Sequence, residues 1–240
     1  MGLQAVSLAL TSLLFITFTC FIDWQLAALA DTEYVVINNA LNETGGQNFE
    51  SEVGETKAQS ILTSATQFIR NTFGYDAGNP SKIVDKVTLY VDDEPPQGVV
   101  AFTSSDVSGT PNAYEIHYSQ NYVDSLNGVE GVLYHEMTHV WQWNGQGTAD
   151  GGLIEGIADN VRLTAGLPAS GWGQPGEGNK WDDGYDVTAY FLQYCESLRA
   201  GFVADLNAKL ASGWDVAYFN DLLGQSVDEL WNAYKQKYAS

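Results

Sequence analysis

GVLYHEMTHVWQW, residues 131–143, holds two of the three histidines in a chain of 240 residues. His135 and His139 stand four residues apart, with Glu136 beside the first. Read as a helix, the stretch sets both imidazoles one turn apart on a single face, near enough to share one ion. Glu136 is rotated about a quarter turn away, so it can face a water on that ion without binding the ion itself. This is the physical content of H-E-x-x-H. Two neutral imidazoles hold zinc and leave a position open for water, whose pKa zinc lowers, and the glutamate takes its proton. The pattern also arises by chance, but with only three histidines in the chain chance is a poor explanation of the spacing.

Two ligands do not close a site. His117 lies eighteen residues upstream on a candidate strand, and no histidine follows His139. A carboxylate must therefore complete the set unless His117 does. GGLIEGIADNVRL, residues 151–163, supplies two. Its Leu153, Ile154, Ile157, Ala158 and Val161 make a helical apolar pattern in which Glu155 and Asp159 stand one turn apart. Acids in such a pattern are costly unless paired or metal-bound. The arrangement suggests Glu155 on the metal and Asp159 behind it, orienting a ligand histidine. The alternative for Asp159 is a simple pair with Arg162. The glycine-rich loop 144–152 lets the chain reverse and lay this second helix beside the first.

Upstream of residue 129 the pattern is mixed. YVVIN (34–38), VTLYV (87–91), VVAF (99–102) and AYEIHY (113–118) read as strands, and Gly45-Gly46 reads as a break after the first. Residues 56–73 carry the apolar spacing of an amphipathic helix. Beyond Val129 the pattern is helical, and Ser226-Val227-Asp228-Glu229 is a capping box opening a last helix. The fold class expected is α+β: a small N-terminal sheet with a helix packed on it, the HExxH helix, then a mostly helical C-terminal half.

The first thirty residues differ from the rest. Residues 5–22 are almost uninterruptedly apolar, and Ala28-Leu29-Ala30 precedes a charged stretch. This reads as a secretory signal peptide, 1–30, ahead of one domain, 31–240. The run is also long enough to span a bilayer, so an uncleaved membrane anchor is the other reading. Loss of residues 1–30 removes one acid, Asp23, and no base, moving the formal charge from −20 to −19. Such acidity disfavours nucleic acid and anionic membranes as partners. With Cys20 inside the signal, Cys195 has no partner for a disulfide and reads as a buried thiol. Nothing specifies an oligomer, and a monomer is expected.

The stretch YHEMTHVWQWNGQGTADGGLIEGIADNVRLTAG (134–166) resembles the core of the plant basic secretory protein family, with bacterial and fungal relatives. The likeness extends through EYVVINNAL, SATQFI, EIHYS, WDDGYDVTAYFLQYC and LWNAYKQKY, most of the mature chain. It implies a secreted zinc metallopeptidase with a zincin or gluzincin-like core, often linked to defence. His135, His139 and Glu155 would be the metal ligands and Glu136 the general base. The chain departs from the family in its acidity, in Asn160 where an aromatic residue is more common, and in Tyr190 where a basic one is.

A peptidase also needs a donor facing the scissile carbonyl. Tyr185, which opens a helix after a glycine-rich stretch, is the candidate by resemblance and position; packing against the core is its other reading. His117 has three: strand residue, substrate contact, or alternate ligand. Strand 113–118 is a candidate edge on which an extended peptide lies antiparallel. Trp141 and Trp143 cannot share one helical face, so at least one belongs to the core. The function expected is therefore secreted, zinc-dependent hydrolysis of a peptide or protein substrate. The rival is a secreted defence or wall-interaction protein with zinc and no proteolytic activity. An intact Glu136 counts against the rival, because a structural zinc site closes its fourth position with protein.

Overall fold

The upstream strands pair into a four-stranded sheet of order β1-β2-β4-β3. β1 is Glu33–Asn38, β2 Lys86–Asp92, β3 Ala101–Ser105 and β4 Ala113–Ser119. These belong to a computed structural model that describes residues 32–105 and 107–239; the expected signal peptide lies outside them. Leu89 of β2 and Ile116 of β4 face each other in parallel register and are fully buried. β3 runs antiparallel on the other side of β4, with Thr103 opposite Ile116 and Phe102 opposite His117. The period of two then separates the faces: Thr103 and Ile116 point one way, Phe102 and His117 the other.

Strand 113–118 is therefore not an edge. β4 has a neighbour on both sides, so its backbone groups are already paired, and the edge on the α3 side belongs to β3. A second correction concerns Gly45 and Gly46. They do not break the chain but lie inside a helix, α1 (Thr44–Glu52). A Cβ on Gly45 would lie 1.8 Å from the Gln120 carbonyl oxygen, and one on Gly46 1.9 Å from that of Ala40. Glycine is used there for close approach, which a turn-based reading mistakes for punctuation.

The core joins the buried side chains of β2 and β4 to those of the helices that follow. α2 (Gly54–Thr72) buries Ala58, Ile61, Leu62, Ala65 and Ile69 along one stripe and packs on α3 (Leu126–Trp141). α3 starts at Ser125, whose Oγ accepts from the Gly128 N–H at 3.2 Å, and ends where Gln142 turns extended. Its Val129, Leu133, Met137 and Val140 are fully buried, which turns the His135–Glu136–His139 side toward β3 and the next helix. Trp141 is core and Trp143 half-buried, its Nε1 donating to the Pro80 carbonyl at 2.9 Å.

α4 (Gly151–Thr164) lies between α3 and α5 (Tyr185–Leu198). Beyond them come α6 (Phe202–Leu210), α7 (Tyr218–Leu223) and α8 (Val227–Tyr238), the last opened by the Ser226–Glu229 capping box. Phe191 of α5 packs its ring against Phe219, Trp231 and Tyr234, an aromatic knot that joins α5, α7 and α8. Cys195, on the same helix, is a buried free thiol whose pKa burial pushes up.

α4 and α5 approach closely because Gly152 and Gly156 stand one turn apart on the shared face. A Cβ on Gly156 would lie 2.2 Å from the Thr188 Cγ2. Gly156→Ala is therefore expected to cost about 1–3 kcal/mol through overpacking, and to lower Tm by several degrees in a scan. An unchanged Tm would mean that α5 gives way freely.

Candidate active site

Two helices bring the predicted residues together. His135 and His139 come from α3, Glu155 and Asp159 from α4. Their ligand atoms converge: His135 Nε2 lies 3.0 Å from His139 Nε2 and 3.1 Å from Glu155 Oε2, and His139 Nε2 lies 3.6 Å from the same oxygen. His135, His139 and Glu155 form a group that could hold a metal ion. Two imidazoles and a carboxylate are the ligand types zinc takes. Bonds of about 2.0–2.1 Å at tetrahedral angles set ligand atoms roughly 3.3 Å apart, and the three separations straddle that figure. The residues present fit the ion.

Asp159 stands behind His135. Its Oδ1 accepts from His135 Nδ1 at 2.6 Å, and the side chain is buried. A carboxylate only accepts, so Nδ1 carries a proton and Nε2 is the atom turned toward Glu155 and His139. Arg162 makes no ion pair with Asp159; its Nε donates to the Leu167 carbonyl instead. Burial opposes charge on His135, but the bonds to Asp159 and Glu155 outweigh it and raise its pKa to about 10. Burial alone would raise Glu155, yet the two histidines hold its carboxyl well below the usual range.

Glu136 is buried and lines the same cleft, outside the ligand triangle. Its Oε2 accepts from Thr103 Oγ1 of β3 at 2.7 Å. This contact was not legible in the sequence, because Thr103 looks like any strand threonine until the edge strand is laid over α3. Gln142 is a second such residue: its Nε2 sits 3.3 Å from His139 Nδ1 and donates to the Ile154 carbonyl. Its place one turn beyond His139 is the signal that reading overlooked.

Tyr185 is 56% exposed, which removes the core-packing reading. Its ring stacks over that of His135 at 6.2 Å and 12°. Its φ of +43° is left-handed, a conformation a tyrosine adopts at about 1–3 kcal/mol. Thr188 holds the turn that imposes it, with Oγ1 accepting from the Gly184 N–H and donating to the Trp181 carbonyl. The charge of Glu155, then burial, raises the phenol's pKa.

His117 is on the outer face of the sheet, stacked between Tyr90 and Phe102, with Nδ1 2.9 Å from Asp92. Strand alternation points it away from α3, so neither alternate ligand nor cleft contact holds for it. Asn160 is buried and donates to the Ala189 carbonyl, and Tyr190 packs edge-on against Trp172.

Fold and site together define an α+β protein with a metal-competent cluster and a buried acid in an open cleft of about 1320 Å³. The chain matches the BSP family model, described as a peptidase of plants and bacteria, over residues 31–234, and it belongs to that family. It is also 44% identical over 59 residues to a basic secretory protease from Boswellia serrata, covering 25% of this chain and 67% of that protein. No solved structure matches it.

The raised pKa of His135 has a measurable consequence. Metal must displace the proton that the metal-free site keeps there below about pH 10. Zinc affinity, measured against a competing chelator, is expected to rise about tenfold per pH unit between about pH 6 and 8. Affinity flat across that range would show the site unprotonated before metal arrives.

Proposed function

We propose that this chain is a secreted, zinc-dependent endopeptidase with a gluzincin-like centre. The observation that carries the reading is the convergence of three ligand atoms from two helices beside an acid that is not one of them. In this reading His135, His139 and Glu155 hold zinc, and Asp159 fixes the His135 ring. Bound there, zinc supplies a Lewis acid for the scissile carbonyl and lowers the pKa of water.

The remaining steps belong to the chain. Glu136 takes the proton of the attacking water and passes it to the departing amine. Thr103 holds one carboxylate oxygen of Glu136, leaving the other for proton transfer. Tyr185, poised over the His135 ring with a protonated phenol, donates to the developing oxyanion. The free edge of β3, which lines the cleft, takes the substrate as an added strand. Secretion is supported by the apolar run with its A-L-A ending and by the name of the Boswellia relative. Among the described residues no helix is long and apolar enough to cross a membrane.

Glu136→Gln is expected to retain zinc and to lose peptide hydrolysis by at least about a hundredfold; undiminished casein cleavage would sink the proposed base. Glu155→Ala should lower bound zinc sharply when metal content is measured. Hydrolysis by the unmodified protein should vanish with a chelator and return with zinc. A chelator-resistant activity would argue for a different chemistry.

A further inference from the structure

The leaving-group side of the cleft contains a cation that the proposed chemistry does not use. Glu155, Asp159 and Arg162 follow one another at four- and three-residue intervals on a single face of α4, so Arg162 lies beyond the cluster along the same wall. It lines the cleft and is only 9% exposed. Its Nε donates to the Leu167 carbonyl at 2.8 Å, and Trp172 covers the guanidinium, 5.5 Å from the ring centroid. Gly131 of α3 makes the space: a Cβ there would lie 2.8 Å from both Nε and Nη2.

What Arg162 lacks is a bonded carboxylate. Among the described residues no carboxylate pairs with it, and Asp159, whose charge it feels, gives Oδ1 to His135. Its Nη groups find no protein acceptor among the described residues. The guanidinium faces the cleft, and its planar fork matches a carboxylate in two parallel bonds. The opposite end of the cleft differs. There Lys82 donates to the Val140 carbonyl at 3.1 Å and sits between the Tyr114 and Trp143 rings, and burial pulls its pKa down to about 8.

The register of β3 gives these ends a direction. Ala101 pairs with Tyr118, which interacts electrostatically with Arg162, and Ser105 pairs with Tyr114, which lies under Lys82. Thr103, between them, touches Glu136. A peptide laid antiparallel on β3 has its C-terminal side at Arg162.

We propose that Arg162, with Trp172 and Gly131, forms a carboxylate-recognising subsite on the leaving-group side of the cleft, filled by an acidic side chain or by the free C-terminus of the peptide. The proposal rests on the peptidase reading for its direction. It also runs against the charge of the whole molecule, which disfavours acidic ligands and leaves only a local cation to attract one.

The test uses two pairs of matched peptides. One pair differs only in a free against an amidated C-terminus, the other only in Glu against Gln downstream of the cleaved bond. Binding is measured by calorimetry on zinc-loaded Glu136→Gln, and kcat/KM on the unmodified full chain. In at least one pair the carboxylate member is expected to be favoured about tenfold or more, and the pair that responds identifies the source. The ratio should fall to about one when Arg162→Gln is added, survive in part with Arg162→Lys, and stay with Lys82→Met. No preference in either pair for the unmodified protein overturns the subsite, whether or not the variants fold. So does a preference that survives Arg162→Gln. Cleavage without carboxylate preference removes the subsite and leaves the peptidase; carboxylate preference in binding without any cleavage does the reverse.

Discussion

The bond between His135 Nδ1 and Asp159 Oδ1 ties two buried groups on two different helices, and the site depends on it. Neither group is tolerable alone in that interior; together they satisfy each other and fix the rotation of α4 against α3. Once α4 is rotated so that Asp159 meets His135, Glu155 arrives at the Nε2 atoms one turn earlier. Arg162 arrives at Gly131 in the turn that follows. A single register choice thus sets the metal-competent triangle, the orientation of its histidine and the cation at the end of the cleft.

The glycines that adjoin the acids on α4 explain why the register holds. Gly152 and Gly156 let α5 and the turn before it press directly on the helix, since a Cβ at Gly152 would lie 1.9 Å from the Asp182 carbonyl oxygen. That turn ends in Gly184 and Tyr185, so the same close approach that locks α4 also carries the phenol over His135. The left-handed backbone of Tyr185 is strain kept in place by Thr188 and by this packing. Glycine and acid on adjoining faces of α4 set how closely α5 approaches it and how it is rotated against α3.

The sheet enters the chemistry through its edge. β3 is open on one side, and its inward-facing Thr103 reaches Glu136 while its outward-facing Phe102 stacks on His117. The alternation that separates those two contacts also decides which histidines share a metal-competent group. His135 and His139 do; His117, with Tyr90 and Asp92, braces the outer face of the strands that flank the cleft.

Much of this was legible along the chain. Periodicity located α2, α3, α4 and the strands to within a few residues, and the scarcity of histidine singles out the carboxylates Glu155 and Asp159. Periodicity carries that far because helical spacing is local: residues four apart share a face wherever the helix ends up. What the chain alone did not decide was which strand lies at the cleft edge, why Gly45 and Gly46 are glycines, and that Thr103, Gln142 and Arg162 line the cleft. Each depends on contacts between elements far apart in sequence, such as Thr103 with Glu136 or Arg162 with Gly131. Local propensity determined the elements and half of the chemistry; only close packing between them determined which side chains meet.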